Sequence, residues 1–303
     1  MRVHHLNCVS SCPIGGYVMD GRTAKGMRGR LTCHCLLAEA GRSLVLVDTG
    51  YGLRDVVAPR ARLSRTFLEL LKPDLREEMT AIRQIQALGF DPLDVRHVVL
   101  THLDFDHAGG LDDFPHARVH LLERERAAAM ARRTLLDRMR YRPQQWSTRG
   151  NWHTYEASQG ERWFGFECVR ELAGAPPDVL LVPLYGHTLG HAGVAVRGER
   201  NWILLAGDAY FHHAEMKLGA PSCTPGLRAY QRLMEKDRKL RLHNQKRLRE
   251  LKRDHGSEVT IVCAHDVSEF ERASGRPYDV PAGERPREPV ALPPYAQRNP
   301  AAT

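Results

Sequence analysis

Residues 101–110 read Thr101-His102-Leu103-Asp104-Phe105-Asp106-His107-Ala108-Gly109-Gly110, directly after the apolar run from Val95 to Leu100. A short apolar run of this kind predicts a buried strand. Two imidazoles and two carboxylates therefore leave its end together and crowd into one small volume. Carboxylates a few ångströms apart cannot all stay ionised without compensation. A bound cation supplies it, and a mixed carboxylate and imidazole set suits zinc, iron or manganese. The plainer alternative is a polar loop whose histidines bond to backbone, but four such groups within six residues favour the metal.

The pattern recurs outward from this stretch. Val179 to Leu184 predicts a strand that runs into Tyr185-Gly186-His187-Thr188-Leu189-Gly190-His191. Val194 to Val196 and Trp202 to Ala206 predict a hairpin across Gly198-Glu199, and its second strand runs into Gly207-Asp208-Ala209-Tyr210. Glu258 to Cys263 ends at Ala264-His265-Asp266. Four strands thus each end in a His or an Asp. Earlier, Leu31 to Ala38 and Ser43 to Val47 flank a turn at residues 39–42, and the second delivers Asp48-Thr49-Gly50. Helices are expected around Leu63 to Leu71, over Arg76 to Leu88 on the spacing of Met79, Ile82, Ile85 and Leu88, and over Glu123 to Arg133. Residues 134–160 show no sustained period. The aromatics in or near them (Trp146, Trp152, Tyr155, Trp163, Phe164) either line a substrate pocket or pack into the body of the domain.

At 303 residues the chain can bury a large core, and the absence of any internal linker predicts one domain over residues 1–273. Residues 274–303, rich in Pro and Arg, are expected to be an extended or disordered tail. No apolar run reaches the length of a membrane span and the N-terminus lacks a secretory pattern, so the expected location is the cytoplasm. Seven scattered cysteines do not form a disulfide framework, and Cys33 and Cys35 read as small buried hydrophobes. The net charge of +8 invites a nucleic-acid surface. Much of that excess lies between Arg228 and Arg253, where Leu233, Leu240, Leu248 and Leu251 predict an amphipathic helix with a solvated basic face. No aromatic platform for base stacking accompanies it, so nucleic acid is not the expected partner.

Taken together, His102-x-Asp104-x-Asp106-His107, then His187 in Gly-His-Thr-x-Gly-His, Asp208 in Gly-Asp, and His265 resemble the ligand series of the metallo-β-lactamase superfamily. The resemblance covers residues from about 31 to 268 and implies an α/β (α+β) fold, the αβ/βα four-layer sandwich. It also implies two divalent ions. One would be held by His102, Asp104 and His187, the other by Asp106, His107 and His265, with Asp208 bridging. Asp48 and His191 would be supporting residues. The wording His-Leu-x-Phe-Asp-His-Ala-Gly-Gly is most similar to the N-acyl homoserine lactonase branch, with two departures. Asp104 stands where that branch has histidine, and Phe211 stands where it has a catalytic tyrosine, one residue after Tyr210.

Asp104 raises the carboxylate ligands from two to three. A bridging water would then be less acidified, and preference would shift from zinc toward harder ions. Zinc is the first expectation, iron and manganese the alternatives. The resemblance implies a hydroxide held by the two metals that attacks the carbonyl of a small ester, lactone or thioester. Asp106 would pass the proton to the leaving alkoxide and Tyr210 would donate to the oxyanion. A nuclease or phosphodiesterase of the same superfamily and a non-catalytic binding protein on this fold are the alternatives. A dimer is compatible with the sequence.

Overall fold

Along the strand Ser43–Val47, Leu44 and Leu46 join one apolar cluster and Val45 and Val47 another. Neighbouring side chains on a strand point to opposite faces, so a run apolar at every position belongs to a sheet covered on both sides. Two such sheets appear in the computed structural model, which describes residues 1–24, 26–146, 151–156 and 161–283.

The first sheet contains β1 (Val3–Asn7), β2 (His34–Ala40), β3 (Ser43–Val47), β4 (Val95–Val99), β5 (Arg118–Leu122) and β6 (Trp152–Tyr155), in that order. Its first three strands form an antiparallel meander, and β3 to β6 run parallel. The second contains β7 (Glu161–Trp163), β8 (Phe166–Glu171), β9 (Val179–Pro183), β10 (Ala192–Arg197), β11 (Trp202–Leu205) and β12 (Val259–Val262). It is antiparallel except for the parallel pair β11 and β12. Val45, Val47 and Val99 of the first sheet meet Val179, Leu181, Val194 and Leu205 of the second in the central core. On the outer faces, the helix Ala81–Ala87 sets Ala81 and Ile85 against Leu44 and Leu46. The helix Arg238–His255 likewise sets Leu248 and Leu251 against Leu204 and Val259. Helix, sheet, sheet, helix is the expected αβ/βα sandwich.

Several local expectations change. The basic segment is two helices, Pro225–Met234 and Arg238–His255. Between them the amides of Lys236 and Asp237 turn to the carbonyl of Gly186 at 2.8 and 2.9 Å, and the Asp237 carboxylate caps the second helix at Leu240 N, 2.9 Å. The helix expected over Arg76 to Leu88 divides into a 3-10 turn, Glu77–Met79, and the helix Ala81–Ala87. In the aperiodic stretch, Thr134 and Asp137 form a capping box that starts the helix Leu135–Arg140. Trp146, Tyr155 and Trp163 pack into three different clusters, which settles that aromatic group in favour of packing. The start of the tail also packs. Arg276 reaches His5 O, Tyr278 O accepts from Asn7, and Ala282 N donates to Gln84 at 2.9 Å. Residues 284–303 lie outside the described residues. Among those described, no helix is long and apolar enough to cross a membrane.

Candidate metal centre

The turns that follow β3, β4, β9, β11 and β12 converge on one buried cluster, and these strands are what position it. Asp48 leaves β3 with φ of 54°, an unusual backbone for a residue other than glycine. This turn aims its carboxylate at the loop after β4. It accepts from Thr101 N and Thr101 Oγ1, both at 2.8 Å, and from His107 Nδ1 at 2.8 Å. Glu125, fully buried, ties the two principal ligand loops together. It accepts from Leu103 N at 3.0 Å on one side, and from Thr188 Oγ1 at 2.5 Å and Gly190 N at 3.1 Å on the other. Gly190 is obligatory there, since a Cβ would come within 2.1 Å of the Glu125 amide nitrogen.

Hydrogen bonds at the far side of each ring fix which nitrogen is free. His107 Nδ1 faces the Asp48 carboxylate, which can only accept, so it carries the proton. His265 Nδ1 likewise donates to Thr32 O at 2.6 Å. Thr101 Oγ1 gives its hydrogen to Asp48 and accepts from His102 Nδ1 at 2.8 Å. The Nε2 atoms of all three rings are left as lone pairs pointing inward. This orientation by outer partners is how ligating histidines are held. His191 instead supports the backbone. Its Nδ1 donates to Leu184 O and its Nε2 accepts from Asp208 N, each at 2.9 Å, which sets the Asp208 main chain.

Asp208 occupies the middle and leans a different oxygen to each side, with Oδ2 also 3.3 Å from His265 Nε2. Its Oδ2 lies 3.8 Å from His102 Nε2 and 3.2 Å from His187 Nε2. Asp104 Oδ2 closes that set at 3.4 Å from His102 Nε2 and 3.1 Å from His187 Nε2. Asp208 Oδ1 lies 3.3 Å from His107 Nε2 and 3.1 Å from His265 Nε2, with Asp106 Oδ2 3.8 Å from His265 Nε2. A tetrahedral ion with ligands at about 2.1 Å needs edges of about 3.4 Å, and both sets cluster around that length. His102 Nε2, His107 Nε2 and Asp208 Oδ1 are buried without a hydrogen-bond partner. Orphaned buried polar atoms are rare in folded chains, and three that converge on common points fit the two ions that the resemblance implies. Burial pushes the Asp106 carboxyl up. Burial also opposes ionisation of Asp208, yet the surrounding His265, His107 and His187 hold its carboxyl well below the usual carboxylate range.

Every expected metal ligand is therefore brought to the cluster: His102, Asp104, Asp106, His107, His187, Asp208 and His265. Tyr210 is not. Its hydroxyl bonds to Glu269 at 2.9 Å within the core under β11 and β12. Phe211 faces the centre instead, stacked on His265 with ring centres 4.9 Å apart. Three further neighbours emerge only in the folded chain. Tyr230 lies edge-on to Phe211 at 5.8 Å. Burial, and then the carboxylates of Asp106, Asp104 and Asp208, push its phenol well above the usual range. The Cys33 thiol, buried, comes within 4.8 Å of ligand atoms of Asp106 and His265. Arg140, fully buried, donates to both oxygens of Asp104. Only the Thr134–Asp137 capping box hints at the helix that carries Arg140; no local signal marks the other two.

Asp48→Ala is expected to lower metal affinity about 10- to 100-fold, because His107 loses its orienting acceptor. Competition against a chelating dye measures this. Unchanged affinity would mean that His107 is held without Asp48.

A small pocket bordered by Phe211, Leu227, Arg30 and His265 touches the edge of the centre. A larger cleft of about 370 Å³, lined by Ala127, Ala128, Tyr141 and Leu189, contains none of the ligands, so its size does not make it the reactive site.

Residues 28–250 match the sequence profile described as the metallo-beta-lactamase superfamily. Over 274 residues the chain is 39% identical to a "probable metallo-hydrolase" of Mycobacterium tuberculosis, covering 90% of this chain and 83% of that protein. It is 26% identical over 202 residues to an N-acyl homoserine lactonase of Bacillus thuringiensis, covering 66% and 72%. An N-acyl homoserine lactone hydrolase solved with N-hexanoyl-L-homoserine at its catalytic metal centre superposes with a TM-score of 0.66 at 21% identity, covering 89% of this chain and 95% of the other. The bridged pair of His and Asp sets at the strand ends and the profile match agree: this chain belongs to the metallo-β-lactamase superfamily and is a metallo-hydrolase of that fold.

Proposed function

We propose that the protein opens a small lactone, ester or thioester at a dinuclear centre, with an acyl homoserine lactone as the leading substrate type. One observation carries the reading: Asp208 turns Oδ2 to the set of His102, Asp104 and His187, and Oδ1 to that of His107 and His265. The lactonase names among its relatives support the choice of bond. Two divalent ions, zinc before iron or manganese, would supply an acidified water and Lewis-acid polarisation of the carbonyl. The protein's own groups do the rest. Asp106 would take a proton and return it to the leaving alkoxide. Tyr230 replaces Tyr210 as the donor to the developing oxyanion, because the Tyr210 hydroxyl is already spent on Glu269. Phe211 walls the centre with an apolar face against His265 and, at 5.8 Å, His187.

Tyr230→Phe is expected to reduce kcat about 10²-fold, the usual loss of one oxyanion donor, with metal content unchanged. Tyr210→Phe should leave kcat within about twofold, since that hydroxyl lies outside the reacting volume. The reverse ranking would refute the assignment. Turnover of acyl homoserine lactones, aryl esters, glutathione thioesters and phosphodiesters, each with zinc, manganese and iron, tests the reaction class. Hydrolysis confined to phosphodiesters would replace this reading with the nuclease one.

A further inference from the structure

We propose that Arg140 is a built-in counter-cation that cancels the charge of Asp104, so that an aspartate can stand in a zinc-type cage. The inference rests on the metal reading but not on the choice of substrate. Arg140 Nε donates to Asp104 Oδ1 at 2.6 Å and Nη2 to Oδ2 at 2.5 Å, a two-pronged pair. Nη1 donates to Met234 O at 2.7 Å. A backbone bridge between Asp104 and the adjacent Tyr141 keeps the two side chains in register. Arginine cannot give up its proton in a protein, and a buried guanidinium is tolerated only with a hydrogen-bonded anion. Asp104 is that anion. Among the described residues no ion pair joins Arg140 to Asp208, so its anionic partner is Asp104.

The charge count follows. Asp104, Asp106 and Asp208 bring three negative charges and Arg140 one positive, leaving two negative, the sum of a site with histidine at position 104. The shift toward hard ions expected from Asp104 alone is thereby offset. Nη2 also lies 2.7 Å from His187 Nε2. An ion would take that single lone pair, while the two bonds to Asp104 and the one to Met234 O can remain.

The competing account is a plain structural clamp between the helix Leu135–Arg140 and the ligand loop. Metal content separates the two. Wild-type protein and variants are offered equal zinc and manganese, and bound metal is counted by elemental mass spectrometry without substrate. The wild type is expected to take zinc. Asp104→His keeps Arg140 and its bond to Met234 O but leaves the cation unbalanced beside two ions. Its zinc affinity at one of the two positions should fall about 100-fold, and Asp104→His with Arg140→Met should recover to within about tenfold of wild type. Arg140→Lys, which keeps the charge without the fork, should stay within about tenfold. The proposal is overturned if Asp104→His alone binds zinc as tightly as wild type, or if the double variant folds and binds no better than the single one. Wild-type protein holding less than about half an equivalent of any metal would instead refute the metal reading itself.

Discussion

Asp208→Ala is expected to cut bound metal from about two equivalents to below about half of one, and to slow hydrolysis by about 10³-fold or more, about 4 kcal/mol of barrier. No other substitution removes a ligand from both sets at once. Asp208 lies between four inward imidazoles, with Oδ2 serving His102 and His187, and Oδ1 serving His107 and His265. Without it, the remaining carboxylates are Asp104, already paired with Arg140, and Asp106. Alanine also leaves nothing to draw a cation between the rings. His107→Ala removes a ligand from one set alone and should retain metal in the other, while turnover should still collapse, as the proposed two-ion reaction requires. Elemental analysis beside turnover of an aryl ester checks both variants. Full metal content in Asp208→Ala would show that the two sets do not share a bridge.

Arg62→Met should destabilise the protein by about 3–5 kcal/mol, the usual result of leaving one half of a buried ion pair. Arg62 Nε donates to Asp55 Oδ1 at 2.7 Å, and Nη1 to Asp112 Oδ2 at 2.9 Å and Gln144 O at 2.7 Å. Nη2 reaches Gly109 O at 3.2 Å, just beyond the ligand segment. Burial pushes the Asp55 carboxyl up, and Arg62 opposes it. With the guanidinium gone, the completely buried Asp55 must take a proton or remain an unpaired charge. The midpoint of urea unfolding should fall with unchanged m-value, and Tm by roughly 5–15 °C. A loss under about 1 kcal/mol would mean that water replaces Arg62. Metal binding by the folded fraction should persist, because no ligand is touched.

Much of the centre is legible in the sequence because its candidate ligands are local to the strands that carry them. Each stands a few residues beyond an apolar run, in the order of the superfamily's series, and every expected ligand is found in the cluster. What the sequence misplaces is of another kind. Tyr210 attracts the oxyanion role because it is two residues from Asp208, but its hydroxyl is taken by Glu269, 59 residues away. The basic segment reads as one helix because the leucine period spans Glu235 to Asp237. The break there comes from Gly186 O, which draws two amides away from the helical ladder.

By itself, the sequence determined the strands and the His and Asp residues at their ends, since strand periodicity and strand-end chemistry are properties of neighbouring residues, and the resemblance of that series implied the superfamily and its four-layer sandwich. Only the tertiary structure decided what surrounds those residues. Arg140 meets Asp104 across 36 residues of chain, and Tyr230 comes to the side of Phe211 from the helix Pro225–Met234. Asp104 read alone is a surplus charge. Paired with a buried guanidinium it becomes a balanced one, because a site's charge is summed over space and not along the chain.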